Sequence, residues 1–222
     1  MEHPDVDDLI LLLRDLLLPL SEVERTVKLP QLSARRENVP EHSFSLGLTA
    51  CALAASIAPE LDRGLIAQYS LVHDVVERYA GDTSIWAPSE VLGSKISREK
   101  HAQRKIRSNF GNVFPWIANT IDAYERRVDP ESRFVYALDK ILPHILIIIS
   151  NEHPVRPHYG RYAARISIAR AKVATDPRIS PYFEELLAIF DERPHFFADG
   201  VPQHGRVSNS RADSAGNDGS RR

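Results

Sequence analysis

Histidine and carboxylate side chains lie inside apolar, helical-looking stretches of this sequence, where an unpaired charge is costly. His73 and Asp74 are adjacent within the apolar segment 69–76, and Glu77 follows His73 by one helical turn. The pair could converge on one divalent ion, with Glu77 within reach of a water on that ion. Alone, such a pair is a weak signal, because a hydrogen-bonded core histidine is the commoner explanation.

Three further polar residues strengthen the prediction of a metal site. His42 lies near the start of an earlier helix, Asp82 directly follows the helix of Glu77, and Asp139 lies in a third apolar helix. Two imidazoles and two carboxylates from three helices would form the first coordination shell: His42, His73, Asp74 and Asp139. Such mixed ligands suit Mn, Co, Fe, Ni or Zn better than Ca.

Several other kinds of chemistry find no support in the sequence. There is no glycine-rich phosphate loop, no Gly-x-Ser-x-Gly nucleophile elbow and no His-Glu-x-x-His helix. The single cysteine, Cys51, excludes an intramolecular disulfide and a cysteine zinc cage, which fits a cytoplasmic location. The net charge is -2, with 28 basic and 30 acidic residues, so neither nucleic acid nor a membrane surface is expected as a partner.

The elements that would position these residues are predicted to be helical. Apolar residues recur at three- and four-residue steps, and no alternating strand pattern of useful length is present. Helices are expected at 5–27, 41–58, 60–79, 97–109, 113–126, 130–152, 159–175 and 180–191, with a loop between Pro30 and Pro40 and a long loop at 80–96. The apolar runs are too short or too interrupted to span a bilayer.

One domain, residues 1–198, is predicted to carry all of these helices. The remaining segment, 199–222, is rich in Gly, Ser, Asn, Asp and Arg and has almost no large apolar residues. It cannot bury enough apolar surface to offset the cost of ordering, so a disordered tail is predicted.

Three strings carry a resemblance to a known family: ENVPEHSFSLG (37–47), LVHDVVERYAGDT (71–83) and YERRVDPESRFVYALDKILP (124–143). Together they resemble the HD-domain phosphohydrolases, in the branch that contains bacterial 5'-deoxynucleotidases and their eukaryotic relatives. The resemblance covers roughly residues 8–190. It implies an all-α helical bundle with a buried mononuclear site, and it matches the order of the four residues that would ligate the metal.

The resemblance also implies an activity and the roles of further residues. Glu77 matches the catalytic carboxylate of the family and Asp82 its acidic partner. The expected reaction is hydrolysis of deoxyribonucleoside 5'-monophosphates with one divalent ion, which could be Mn, Co, Ni, Fe, Zn or Mg. A homodimer is expected as well, with the leucine-rich residues 9–20 or the run 141–149 as an apolar interface.

Two departures from the family leave the substrate open. Relatives carry an Arg-Trp pair that contacts phosphate and sugar, and at the same distance before the first histidine this sequence has Val27-Lys28. Relatives also carry a Pro-Val-Lys string after the Gly-Asp pair, and this string is absent after Gly81-Asp82. Phosphate charge could instead come from Lys28, Arg35, Arg36 or Lys95, and Trp86 could either stack on a base or fill the core. The alternatives are a deoxynucleoside triphosphate triphosphohydrolase, another phosphomonoesterase, or a non-catalytic nucleotide-binding protein.

Overall fold

The apolar periodicity of the sequence predicts helices, and helices make up most of the computed structural model, which describes residues 3–28, 35–83, 87–149 and 159–193. Only the backbone is described for 26–28 and 159–164. The all-α prediction is confirmed, while Trp86 and the segment 199–222 lie outside the described residues. In chain order the elements are α1 (Val6–Leu12), a π-helical turn (Leu13–Leu17), α2 (Leu18–Leu20), β1 (Glu24–Lys28), β2 (Arg36–Asn38), α3 (Val39–Ile57), α4 (Arg63–Val72), α5 (Glu77–Ala80), α6 (Ser89–Phe110), α7 (Pro115–Arg126), α8 (Pro130–Ile149), α9 (Tyr159–Val173) and α10 (Ser180–Glu192).

A small sheet replaces the end of the first predicted helix. The helical path stops at Leu20 rather than at residue 27, and β1 then pairs antiparallel with β2, so that Glu24 lies opposite Asn38. The expectation of a strand-free chain was therefore wrong here. The segment 23–27 contains Val23, Thr26 and Val27, whose β-branched side chains favour an extended backbone. The preference of these residues for an extended backbone determines the local structure after Leu20, where the leucine-rich helical segment ends.

The helix predicted over 60–79 is interrupted between α4 and α5. Residues 73–76 form turns in which Val75 N–H donates to Val72 O at 3.1 Å and Glu77 N–H donates to Asp74 O at 2.9 Å. Hydrogen bonds that span three residues wind the chain more tightly than an α-helix does. The adjacent pair His73 and Asp74 thus lies on a tight turn and not within a regular helix.

The loop predicted over 80–96 is shorter in the structure, because α6 begins at Ser89, directly after Pro88. Gly93 lies inside this helix without ending it, and the position where its Cβ would be has no other atom within 4 Å. An exposed glycine weakens a helix by about 1 kcal/mol relative to alanine. That cost is small for a helix of 22 residues that buries Ala102, Ile106 and Phe110.

The centre of the protein is formed by α3, α4 and α8, which pack against one another. Their buried side chains form a single apolar cluster with α10, in which Leu46, Ile66, Phe134, Leu138 and Phe183 are almost fully enclosed. A second cluster joins the first helical segment to α6 and α7. The three central helices bring together the start of α3, the end of α4 and the middle of α8, where the predicted metal ligands lie.

Among the described residues, none of the helices combines the length and the apolar character that crossing a bilayer requires.

Candidate metal centre

The start of α3 is fixed by a reciprocal pair of hydrogen bonds. Asn38 Oδ1 accepts from Glu41 N–H at 2.9 Å, and Glu41 Oε2 accepts from Asn38 N–H at 3.0 Å, which is a capping box. Pro40 occupies the first turn, where its missing N–H costs nothing. His42, two residues after Pro40, is therefore held with its ring in the interior and only 1% of it exposed.

Three further side chains, from α8 and from the turn after α4, meet this ring. His42 Nε2 lies 2.9 Å from Asp139 Oδ1, and His73 Nε2 lies 3.9 Å from the same oxygen. Asp74 Oδ2 lies 3.0 Å from His73 Nε2. One donor atom from each of the four residues fits within 4.8 Å of all the others. The structure thus gathers His42, His73, Asp74 and Asp139, as the sequence predicted.

Both imidazoles are oriented by their other nitrogen. His73 Nδ1 is 2.9 Å from Ser70 O, and because a carbonyl oxygen only accepts, Nδ1 is the donor and Nε2 is the nitrogen that faces Asp74 and Asp139. That Nε2 is buried and has no hydrogen-bond partner among the described residues. His42 Nδ1 faces Glu37 Oε2 at 3.4 Å. A carbonyl or carboxylate behind the ring is the usual support of a metal-binding histidine.

The charges in this cluster are strongly coupled. Burial by itself would raise the pKa of Asp74, but His73 and Arg25 outweigh it and hold that pKa far below its usual range. Burial opposes ionisation of Asp139 too, yet Lys140 and His42 lower its pKa. Burial would lower the pKa of His42, whereas bonds to Asp139 and Glu37 raise it to about 9. Both carboxylates are therefore ionised, as metal ligands must be.

Arg25 also belongs to this centre, although the sequence pattern gave no sign of it. Its Nη1 lies 2.5 Å from Asp74 Oδ2, and its Nε lies 3.4 Å from Glu37 Oε2. The guanidinium thus bridges a predicted metal ligand and the carboxylate behind His42. Arg25 lies on β1, which was interpreted as the end of a helix, so its approach to Asp74 could not be recognised. If β1 had been recognised as a strand, the alternation of its side chains between two faces would have indicated that Arg25 and Glu24 point in opposite directions.

Glu77 is buried at the start of α5, and its Oε2 has no hydrogen-bond partner among the described residues. Burial raises its pKa well above the ordinary range, and the negative charges of Asp74 and Asp82 act in the same direction. The positive charges of Arg25 and Lys95 partly offset this shift. A buried carboxyl group whose pKa is raised by its surroundings is a candidate for proton transfer.

Asp82 follows Gly81, whose φ of 71° suits glycine and turns the chain away from α5. Arg98 on α6 holds this turn: one guanidinium nitrogen donates to Ala80 O, and another donates to Thr83 Oγ1 at 2.8 Å. Asp82 is partly buried, and its charge is felt at Glu77. The structure thus brings Asp82 into the electrostatic surroundings of Glu77.

The cations predicted to bind phosphate lie in different places. Arg36 is on the exposed side of β2, 3.9 Å from Glu24, while its neighbour Glu37 faces inward, so the structure does not bring Arg36 to the cluster. Lys95 pairs with Glu99 at 3.2 Å, and its charge acts on Glu77. Arg35 pairs with Glu41 at the surface. Lys28 ends β1, and its side chain is not described, as is also true of Trp86.

The donor set fits a divalent transition metal. It offers an orphaned imidazole nitrogen, a second oriented imidazole and two ionised carboxylates, all within the span of one coordination sphere. Arg25 contacts Asp74 of this set, and the charges of Asp74 and Arg25 both act on Glu77. The arrangement can thus combine a Lewis acid, a proton-accepting carboxyl and an anion-binding guanidinium.

Comparison with known proteins agrees with this picture. Residues 19–178 match the HD domain family. A solved structure described as a predicted metal-dependent phosphohydrolase from Magnetospirillum magnetotacticum MS-1 has a similar fold, with a TM-score of 0.66 and 24% sequence identity over 85% of this chain and 96% of the other. A comparison with curated proteins gives no match.

Proposed function

The chain belongs to the HD-domain family, and from that membership and the site geometry we propose that it is a metal-dependent phosphohydrolase acting on deoxyribonucleoside 5'-monophosphates. The observation that carries the proposal is the meeting of the four-residue cluster with the buried, unpartnered carboxyl of Glu77. The similar fold of a protein described as a predicted metal-dependent phosphohydrolase supports the reaction type.

His42, His73, Asp74 and Asp139 would hold the ion in this proposal. When bound, a divalent ion supplies a Lewis acid that polarises a phosphoryl oxygen and makes water more acidic. Glu37 and Ser70 O keep the two rings in the tautomers that face the ion. Mn, Co, Ni, Fe, Zn and Mg all remain candidates for the ion, because the mixed imidazole and carboxylate set accepts each of them.

Glu77 acts as the proton carrier. Its raised pKa and its unpartnered Oε2 suit a group that orients the attacking water and accepts its proton. The water oxygen forms a bond to phosphorus, the bond between phosphorus and the 5'-oxygen breaks, and the proton passes to that leaving oxygen. Asp82 contributes negative charge that keeps the Glu77 carboxyl basic. The products are a deoxynucleoside and inorganic phosphate.

Arg25 supplies the positive charge for the phosphate. Its guanidinium is nearly buried and already lies against Asp74, so it sits beside the place where a phosphoryl group would approach the ion. A planar guanidinium binds phosphate oxygens with two parallel hydrogen bonds. Lys95, whose charge reaches Glu77, is a second source of positive charge. We thus assign to Arg25 the phosphate contact for which the sequence analysis offered Lys28, Arg35, Arg36 or Lys95.

A homodimer is part of the proposal. The first helical segment turns one side to the core through Leu16 and Leu20, and leaves Leu9, Ile10 and Leu13 about half exposed. A stripe of this kind is typical of an interface. Light scattering of the wild type and of Leu13→Asp tests it, since the charge would separate the subunits.

The function is tested with a substrate panel. Purified protein, stripped of metal and reloaded with Mn, Co, Ni, Fe, Zn or Mg, is supplied with deoxynucleoside mono-, di- and triphosphates and with simple phosphomonoesters. The proposal expects orthophosphate from monophosphates, and only with metal present. Tripolyphosphate from triphosphates would instead identify a triphosphohydrolase. Binding of nucleotide without turnover under every metal would identify a non-catalytic protein and refute the proposal.

A further inference from the structure

An open surface cavity of about 450 Å³ lies between the end of α7, α8 and α9, outside the proposed metal centre. Its polar lining consists of Arg127, Tyr136, Ser167, Lys172 and Thr175. The volume falls within the range of small-molecule sites, and the lining combines two cations with hydroxyl groups. Donors of this kind suit a multiply charged oxyanion.

Two cations, Arg127 of the lining and the neighbouring Lys140, lie near the aromatic ring of Tyr136. The guanidinium carbon of Arg127 lies 4.1 Å from the centroid of Tyr136, and Nζ of Lys140 lies 5.0 Å from the same centroid. Arg127 also forms a partly exposed ion pair with Glu125 at 3.3 Å, which water weakens. In the described part of the chain, Lys172 has no carboxylate within ion-pair distance. Burial lowers the pKa of Lys172, as do the charges of Lys140 and Lys95.

The backbone at Arg127 points to a role for its side chain. Arg127 is the described non-glycine residue with a positive φ, 50°, in the left-handed conformation that ends α7. Glycine adopts this conformation without strain, whereas a residue with a Cβ does not. The strain is tolerated where the guanidinium is held over Tyr136 and borders the cavity. Strained residues of this kind concentrate at binding sites.

The cavity is joined to the metal centre through α8. Tyr136 precedes Asp139 by three residues and Lys140 by four, so the three side chains lie on one side of the helix. Nζ of Lys140 contacts Oδ2 of Asp139, while Oδ1 of the same carboxylate faces His42. A wall of the cavity is thus one side chain away from a predicted metal ligand.

We propose that this cavity is a second phosphate-binding site, which holds a phosphoryl group other than the one that is hydrolysed. That group is either a separate phosphate anion or, for the alternative di- and triphosphate substrates, a further phosphate of the substrate. The substrate interpretation rests on the proposed phosphohydrolase function, whereas the binding itself does not. The cavity favours phosphate over a carboxylate because two separate cations and hydroxyl donors can contact several oxygens at once.

Calorimetry with inorganic phosphate and with pyrophosphate tests the site on the metal-loaded protein. The wild type is expected to bind two equivalents of phosphate per chain, one at the metal and one in the cavity. Arg127→Gly keeps the left-handed backbone without strain, and together with Lys172→Ala it should weaken the second equivalent by about tenfold or more. Arg170→Ala is the matched control, because Arg170 lies on α9 but pairs with Glu184 at the surface.

The two sources of the anion are separated by kinetics. If the group belongs to the substrate, the double variant raises KM for di- and triphosphates and leaves KM for monophosphates unchanged. If it is a separate anion, added phosphate changes the wild-type rate but not that of the double variant. A single equivalent of phosphate that the double variant binds as tightly as the wild type does, or two equivalents with unchanged affinity in the double variant, would overturn the proposal. If the cavity does not bind phosphate but the protein shows metal-dependent turnover, the proposed function is retained and the second-site proposal fails. If two sites bind phosphate but no substrate is turned over, the second-site proposal is retained and the proposed function fails.

Discussion

Oε2 of Glu37 lies 3.4 Å from Nδ1 of His42, so a buried carboxylate fixes the ring whose other nitrogen faces Asp139 at 2.9 Å. Supports of this kind change metal affinity by about 10- to 100-fold when they are altered. We expect Glu37→Gln to weaken metal binding to that extent, because the amide keeps the shape but loses the charge. Titration against a fluorescent metal chelator measures the metal affinity of the two proteins. Glu24→Gln, on the exposed side of the neighbouring strand, should leave the affinity unchanged.

Glu77→Gln should stop catalysis without releasing the metal. The amide cannot accept a proton, so kcat is expected to fall by about 100- to 10,000-fold. Metal content by mass spectrometry should match that of the wild type, since Glu77 is outside the four-residue cluster. Glu90→Gln, an exposed change on α6, is the control. Turnover at the wild-type rate in Glu77→Gln would remove this residue from the mechanism.

Arg25→Lys should raise KM by about tenfold, because an ammonium cannot keep the contacts to Asp74 and Glu37 while also binding a phosphate oxygen. Arg25→Ala leaves those two carboxylates without their shared cation and should destabilise the fold by about 3–5 kcal/mol. Steady-state kinetics and urea denaturation give the two quantities. An equal rise in KM from Arg36→Lys would favour the sequence-based assignment of phosphate binding to Arg36.

Arg98 is a positioning residue for the turn after Glu77. Arg98→Lys removes the forked contact with Ala80 O and Thr83 Oγ1, so the chain around Asp82 is held less firmly. We expect kcat to fall by about tenfold, while metal affinity and KM stay near the wild-type values. Arg104→Lys, exposed on the same helix, provides the comparison. A fall in thermal stability without a change in kcat would show that Arg98 serves only the fold.

His144 makes stability depend on pH. Burial against Phe183 and Phe190 lowers its pKa from 6.5 to about 4, although Lys140 O, 3.0 Å from Nδ1, acts the other way. The unfolded chain therefore takes up the proton first. The stabilisation from neutral His144 is complete above pH 6.5 and is lost as the pH falls toward 4, by up to about 3 kcal/mol.

Urea denaturation of metal-free protein between pH 7.5 and pH 4 checks this expectation. His144→Asn keeps a donor for Lys140 O but cannot titrate, so its stability should fall less over that range than that of the wild type. The exposed His101→Asn should follow the wild-type curve. Parallel curves for His144→Asn and the wild type would contradict the assignment.

The metal cluster could be predicted from sequence because its four members are unusual in their surroundings. A histidine or aspartate in an apolar segment is costly without a partner, and the order of the four residues along the chain resembles that of the HD-domain family. Arg25 and Glu37 could not be found in this way. Charged residues in a polar segment are ordinary, and their roles appear only when β1 and β2 are recognised as strands. The contact of Arg98 with Ala80 could not be predicted either. The sequence analysis assigned 80–96 to a long loop because of its proline and glycines, whereas α6 begins at Ser89.

His42 and Asp139 meet across 97 positions of the chain. While the protein is being synthesised, a chain that ends before α8 carries three of the four ligands but lacks the carboxylate that completes the set. Such a nascent chain cannot capture the ion with the affinity of the finished domain. For the proposed metal centre we therefore expect loading only after α8 has been synthesised, and a product that ends before residue 139 would lack one of the four ligands.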